Sequence, residues 1–168
     1  MRRVIVAAAL ATIPFGALAQ DTAGDWGYFQ PDGGTMQAGV VAADGSQLIL
    51  KCDKPGQHKV FAVLVSTSNL AAPMSDDNYE STEVTLRMDE NAPWTDNWRL
   101  NGNFAMAVDQ GTTRSLTRLL EKLDKAEKFE IRLRPRRKSV IVVNFNTKGT
   151  RAAMERVYES CQDTVPFD

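Results

Sequence analysis

Polar and apolar residues alternate along much of this chain, and a period of two predicts half-buried strands rather than helices. Residues 25–29 read as an opening strand, closed by a turn through Pro31, Asp32 and Gly33. Residues 35–43 and 46–52 flank Asp44-Gly45, the signal for a hairpin with a two-residue type I′ loop. Within the second arm Leu48, Leu50 and Cys52 share one face. Residues 58–66 are apolar on both faces, as a central strand should be, whereas 67–78 lose all periodicity and read as a loop. Residues 79–88 alternate again, with Val84, Leu86 and Met88 on one side. Residues 94–100 and 104–108 form a second hairpin around Asn101-Gly102. The last hairpin sets Phe129, Ile131 and Leu133 against Ile141, Val143 and Phe145, with Pro135 at its tip.

Only two stretches carry a helical period. In residues 113–128 the leucines fall at Leu116, Leu119, Leu120 and Leu123, one apolar stripe suited to covering a sheet. Thr112 or Thr113 is placed to cap its first turn. A second helix starts near Thr150, and Ala153, Val157 and Cys161 lie along one side of it. With no repeat or linker, the pattern predicts one α+β domain: a mostly antiparallel sheet or sandwich of about eight strands, with two late amphipathic helices.

The ends and the charge add a compartment. Arg2 and Arg3 precede an apolar run, and Ala17-Leu18-Ala19 is a small-x-small cleavage signal, so residues 1–19 read as a signal peptide and 20–168 as the mature domain. Pro14 and Gly16 interrupt the run before it is long enough to span a bilayer, and no second long apolar stretch follows, so no membrane anchor is expected after cleavage. Cleavage removes two arginines and no acid, taking the net charge from −1 to −3. Such a balance argues against nucleic acid as a partner. An exported chain with two cysteines points to a disulfide between Cys52 and Cys161, the alternatives being two buried thiols or an intermolecular bridge.

Candidate chemistry is sparse. His58 is the sole histidine and has no nucleophile motif beside it, so it reads as a surface strand residue. No cysteine-histidine cluster suits zinc, and Asp76, Asp77, Glu80 and Glu83 lack the spacing of a calcium loop, so neither metal nor cofactor is expected. Asp89, Glu90 and Asp96 lie near Trp94 and Trp98, which admits a carboxylate pair beside an aromatic, although the tryptophans read first as packing residues. The most suggestive surface feature is the basic hairpin tip, Arg132, Arg134, Arg136, Arg137 and Lys138. Arginine forks fit carboxylates and phosphates, while the same residues also protect a sheet edge from aggregation.

From Leu48 onward the chain carries a series of short motifs in a set order. Leu48-Ile49-Leu50-Lys51-Cys52 is followed by a valine-rich strand, Trp94 and Trp98, a leucine helix, Ile131-Arg132-Leu133-Arg134-Pro135, then Phe145 and Gly149 before a helix ending in Cys161. This order resembles the VasI family of type VI secretion-associated proteins, and more loosely other small periplasmic proteins. The chain departs from that family at its N-terminal end, where further cysteines are usual. The resemblance implies a secretion-associated role and no catalytic residues. Together these readings predict a periplasmic, non-catalytic binding or accessory protein of the cell envelope, whose partner is an envelope protein or an anionic envelope component. The alternative is a carboxylate-dependent hydrolase of envelope glycans built on Asp89, Glu90 or Asp96.

Overall fold

The structure, a computed structural model, describes residues 22–23, 25–32, 34–52, 60–73, 79–135 and 139–167. Residues 1–21, on which the expected signal peptide falls, His58, Asp76, Asp77, Arg136, Arg137 and Lys138 lie outside the described residues. In chain order the elements are β1 (Thr22–Ala23), β2 (Trp26–Phe29), β3 (Gln37–Val41), β4 (Gln47–Cys52), β5 (Val60–Val65) and β6 (Glu80–Met88). They continue with β7 (Trp94–Asn101), β8 (Phe104–Ala107), β9 (Asp109–Gln110), β10 (Thr113–Arg114) and α1 (Ser115–Leu123). The chain closes with β11 (Lys128–Leu133), β12 (Ile141–Asn146) and α2 (Thr150–Ser160).

Ten strands form one sheet in the order β1-β2-β3-β4-β5-β8-β7-β6-β11-β12, and β9 and β10 form a separate two-stranded ladder. Neighbours in the large sheet are antiparallel throughout. The expected mostly antiparallel α+β fold with two late helices is therefore the fold observed. The alternating rows set its inside: Leu48, Leu50 and Cys52, then Val84, Leu86 and Met88, then Phe129, Ile131 and Leu133 are all buried. A single apolar cluster draws on every long strand and both helices.

The sheet rolls until its two ends meet. β12 approaches β3, and the amide of Asp25 donates to Lys148 O at 3.3 Å. Trp26, fully buried on β2, donates its indole N–H to Thr150 Oγ1 at 3.2 Å and to Thr147 O at 3.4 Å. Burial of an indole favours such an acceptor, and here the acceptor lies at the opposite end of the sheet. Both helices sit on the inner side. α2 ends on Cys161, which is disulfide-bonded to Cys52 in the inward row of β4, with Cα atoms 6.2 Å apart. The bridge links residues 109 apart in sequence, and the expectation from compartment and parity is met. Further up the helix, Ser160 Oγ accepts the Met36 amide at 2.8 Å, fastening α2 to the start of β3.

Two local expectations are corrected. The Asp44-Gly45 connection is not a two-residue type I′ loop, because only Gly45 has positive φ (85°). Gly45 N donates to Ala42 O and Ala42 N to Ser46 O, the pattern of a three-residue loop with a glycine bulge. Asp44 holds that loop by accepting from Ser46 N and Ser46 Oγ, both at 2.9 Å. The Asn101-Gly102 hairpin does have a two-residue loop, Gly102-Asn103, since Asn101 pairs with Phe104.

The second correction concerns α1, which begins at Ser115 because residues 113–114 belong to β10. Thr112 and Thr113 do not cap it. The cap comes from Asp109 on β9, whose carboxylate accepts Leu116 N at 2.8 Å, Thr117 N at 3.1 Å and the Thr117 hydroxyl. The β9–β10 ladder folds the chain back, so that a carboxylate seven residues upstream reaches the helix start. The helix stops at Leu123, where the Lys125 and Ala126 amides turn to Lys122 and Leu123 carbonyls and tighten the last turn.

Candidate functional site

The outer face of the sheet divides into an apolar half and a polar half. Register places Gly39, Ile49, Val63, Met106 and Arg99 in one cross-strand row, and Val41, Gln47, Val65, Phe104 and Asn101 in the next. These residues alternate with the buried inward row, so they point away from both helices. Phe29 joins them, since its ring and the Ile49 side chain bracket Gly39. Gly39 has no side chain, and the two neighbours come together over it. Phe29, Val41 and Phe104 are 42%, 64% and 43% exposed. Such residues are common singly, but here Ile49 and Val65 of the same outward rows lie on the strands between them and join them into one apolar face. Lys51 Nζ lies 5.3 Å from the centre of the Phe61 ring, and the Arg99 guanidinium 5.5 Å from that of Tyr79. The patch therefore has a cationic rim.

Where β5 starts and β8 ends, the face opens into a groove of about 640 Å³ between the sheet, the start of α1 and the end of α2. Phe61 and Tyr158 supply its aromatic surface, and Arg99, Arg114, Asp109 and Asp163 its charges. Asp109 is held by the α1 amides. Asp163 accepts the Thr164 amide at 2.7 Å. Arg114 is exposed, and its guanidinium has no hydrogen-bond or ion-pair partner among the described residues. Burial, with the nearby Asp163 and Asp109 carboxylates, pushes the Tyr158 phenol well above its ordinary range, so the groove presents it as a neutral hydroxyl.

The basic hairpin is only partly free. Arg132 Nε donates to Glu130 Oε1 at 2.8 Å, and Arg87 Nη2 donates to Glu130 Oε2 at 3.2 Å. Register explains this triad, since Arg87, Glu130 and Asn144 lie side by side on β6, β11 and β12. The Arg132 hydrogen bond holds the Glu130 carboxyl below the usual range against the opposing effect of its burial, and Arg87 adds to the pull. The same pairing raises the Arg132 guanidinium. Arg134 is exposed beyond the end of β11, and Pro135 beside it is buried.

The acids near the tryptophans have structural partners. Asp89, at positive φ, accepts the Glu127 and Lys128 amides at 3.2 and 2.9 Å. Asp96 accepts the Ser115 hydroxyl at 2.8 Å and pairs with Arg118 at 3.3 Å, pinning α1 to β7. Glu90 is exposed. Trp98 is fully buried and Trp94 packs on the core with Lys122 Nζ 4.9 Å from its ring centre, as the packing reading expected. Among the described residues no group of three or more His, Cys, Asp or Glu is placed to hold a metal ion. Nor is any helix there long and apolar enough to cross a membrane.

The groove has no signal in the sequence, because its walls come from six separate elements and the C-terminal segment. The apolar outer face does have a signal, the both-sided apolarity of residues 58–66, which is also the mark of a central strand.

No curated protein matches the sequence. Among solved structures the fold is similar to that of invasion associated protein B from Bartonella henselae, with a TM-score of 0.55 at 9% identity, over 85% of this chain and 98% of that one. At that identity the likeness concerns the fold. The VasI resemblance is not the relation that emerges. The YfjT family model matches residues 24–154, most of the described sheet together with α1 and the start of α2, and the chain belongs to the YfjT family.

Proposed function

We propose that this YfjT-family chain is an exported, non-catalytic accessory protein of the bacterial cell envelope that works by binding a protein partner. The observation that carries this reading is the outward apolar face that runs from Phe29 and Val41 across Ile49 and Val65 to Phe104, left open because both helices pack on the other side of the sheet. Its rim, Lys51 and Arg99, favours a partner whose apolar contact surface is bordered by acids. Export is supported by the disulfide, a bond that persists in oxidising compartments. Cleavage after Ala19 releases a periplasmic chain beginning at Gln20. The shared fold with a protein named for invasion supports an accessory role. The engagement of Asp89 and Asp96 in backbone and helix contacts favours binding over glycan hydrolysis.

The basic hairpin is a second contact in this reading, with Arg134, Arg136, Arg137 and Lys138 facing an anionic envelope component while Arg132 is shared with Glu130. A link to type VI secretion is a narrower version that rests on the VasI-like motif order. The test is cross-linking in living cells followed by purification of the oxidised protein. A partner recovered with wild type and lost with Phe29→Ser/Phe104→Ser supports the apolar face. Loss on charge reversal of Arg132, Arg134 and Arg136 supports the hairpin as well. Recovery of the same partner by every variant, or of a second copy of this chain alone, sinks the reading. Secretion-system subunits among the partners would support the narrower version, and N-terminal sequencing should begin at Gln20.

A further inference from the structure

The groove where β5 starts and β8 ends borders the open apolar face, with Arg99 common to both, and its chemistry points to a different kind of ligand. We propose that it binds a small organic oxyanion, with a carboxylate or phosphate head on Arg114 and Arg99 and an apolar body against Phe61.

Three observations carry this. The volume, about 640 Å³, falls in the range of small-molecule sites, roughly 300–1,000 Å³. It exceeds what a few waters need and suits a molecule of amino-acid or dipeptide size. The second observation is that the carboxylates of the wall have hydrogen-bond partners, whereas its guanidinium groups keep donors to spare. Of the two carboxylates in the wall, Asp109 is answered by the Leu116 and Thr117 amides and the Thr117 hydroxyl. Asp163 accepts its neighbour's amide. Arg114 has no such answer among the described residues, and Arg99 is stacked on Tyr79, which orients a guanidinium without neutralising it. A guanidinium in that condition binds an oxyanion through charge-assisted hydrogen bonds. The third is the Tyr158 hydroxyl, kept neutral by its surroundings and lining the same groove. Two cations, a hydroxyl and an aromatic wall converge on one space, an arrangement that orients an acid head and covers its apolar body.

The helix start contributes nothing to this site, because Asp109 already occupies its amides. The anion is held by side chains instead.

The test titrates oxidised protein with N-acetylphenylalanine, its uncharged amide, phenyl phosphate and inorganic phosphate, followed by calorimetry and backbone amide shifts. At least one of the two aromatic acids should bind saturably and move the Thr117 and Thr164 amides. The tighter of the two identifies the head group. The amide should bind about tenfold more weakly or worse, since it lacks the charge that strengthens a hydrogen bond from a guanidinium. Inorganic phosphate should bind more weakly than phenyl phosphate, because it lacks the body that rests on Phe61. Arg114→Ala should weaken the better acid about tenfold and Arg114→Lys less, while Arg132→Ala, on the hairpin, should change nothing. Arg114 is exposed, so its loss leaves the fold intact. The proposal is overturned by acids that give no saturable shifts, by equal binding of acid and amide, or by an Arg114→Ala variant that binds like wild type.

Discussion

The carboxylate of Asp109 accepts the backbone amide of Leu116 at 2.8 Å, so the first turn of α1 is capped from a different strand. Removing an N-cap acceptor costs about 0.5–2 kcal/mol. Asp109→Ala should therefore lower stability by about 1–2 kcal/mol in urea denaturation. Thr112→Ala should stay within about 0.5 kcal/mol, as surface changes away from special contacts do. A larger loss for Thr112→Ala than for Asp109→Ala would contradict the assignment of the cap.

The bridge between Cys52 and Cys161 should dominate the stability of the chain. Closing a loop of this length is worth about 4–5 kcal/mol on the chain-entropy model. Reduction, or Cys161→Ser, should shift the urea midpoint downward by an amount of that order. Unfolded but unreduced protein should take up no thiol label. Two labels per chain would show that the cysteines are free.

Glu130 predicts behaviour in acid. Its carboxyl is held below its ordinary value of 4.5, chiefly by the hydrogen bond from Arg132, with Arg87 helping and burial opposing. A depressed acid contributes stability that is present above 4.5 and lost as pH falls through its folded value. Wild type should lose more stability on acidification than Glu130→Gln, and the two should converge at low pH. The gap should narrow in salt, because Arg132 and Arg87 are half-exposed partners. Parallel curves for the two proteins across pH 3–6 would remove the triad from the account.

Tyr158 makes the opposite prediction at high pH. Its phenol lies above the ordinary 10, first because it is buried and then because of Asp163 and Asp109. The stability this represents is complete below pH 10 and disappears as pH rises through the folded value. In an absorbance titration one of the three tyrosines should ionise only when the protein unfolds in alkali. Tyr158→Phe should abolish that late step. Three normal phenols in wild type would refute it.

Much of this fold is legible in the sequence, for reasons that differ from element to element. Strands such as β6 and β11 bury one face, so Val84-Thr85-Leu86 and Ile131-Arg132-Leu133 announce themselves by alternation. The leucine stripe of α1 and the Ala153, Val157 and Cys161 row of α2 do so by their helical period. The disulfide followed from parity and compartment. What escaped was anything that depends on two distant segments meeting. Asp109 looks like an ordinary loop acid until the β9–β10 ladder carries it to Leu116. Glu130 looks like an ordinary strand acid until register sets Arg87 beside it, and Arg132 two residues along completes the triad. The groove around Arg114 exists only after strand ends, helix ends and the C-terminal segment converge. The Asp-Gly signal located a turn correctly and misjudged its type, because Ala42 and Ser46 extend the ladder by one pair.

The disulfide also decides how the protein breaks. Cys52 and Cys161 stand 109 residues apart, with the strands from β5 through β12 between them. A protease that cuts any connection in that span leaves two pieces still joined through sulfur. On a non-reducing gel the nicked chain should migrate with the intact one, and reduction should release the fragments. In a compartment where proteases are common and thiols are scarce, a single cut is thus a scar and not a severance.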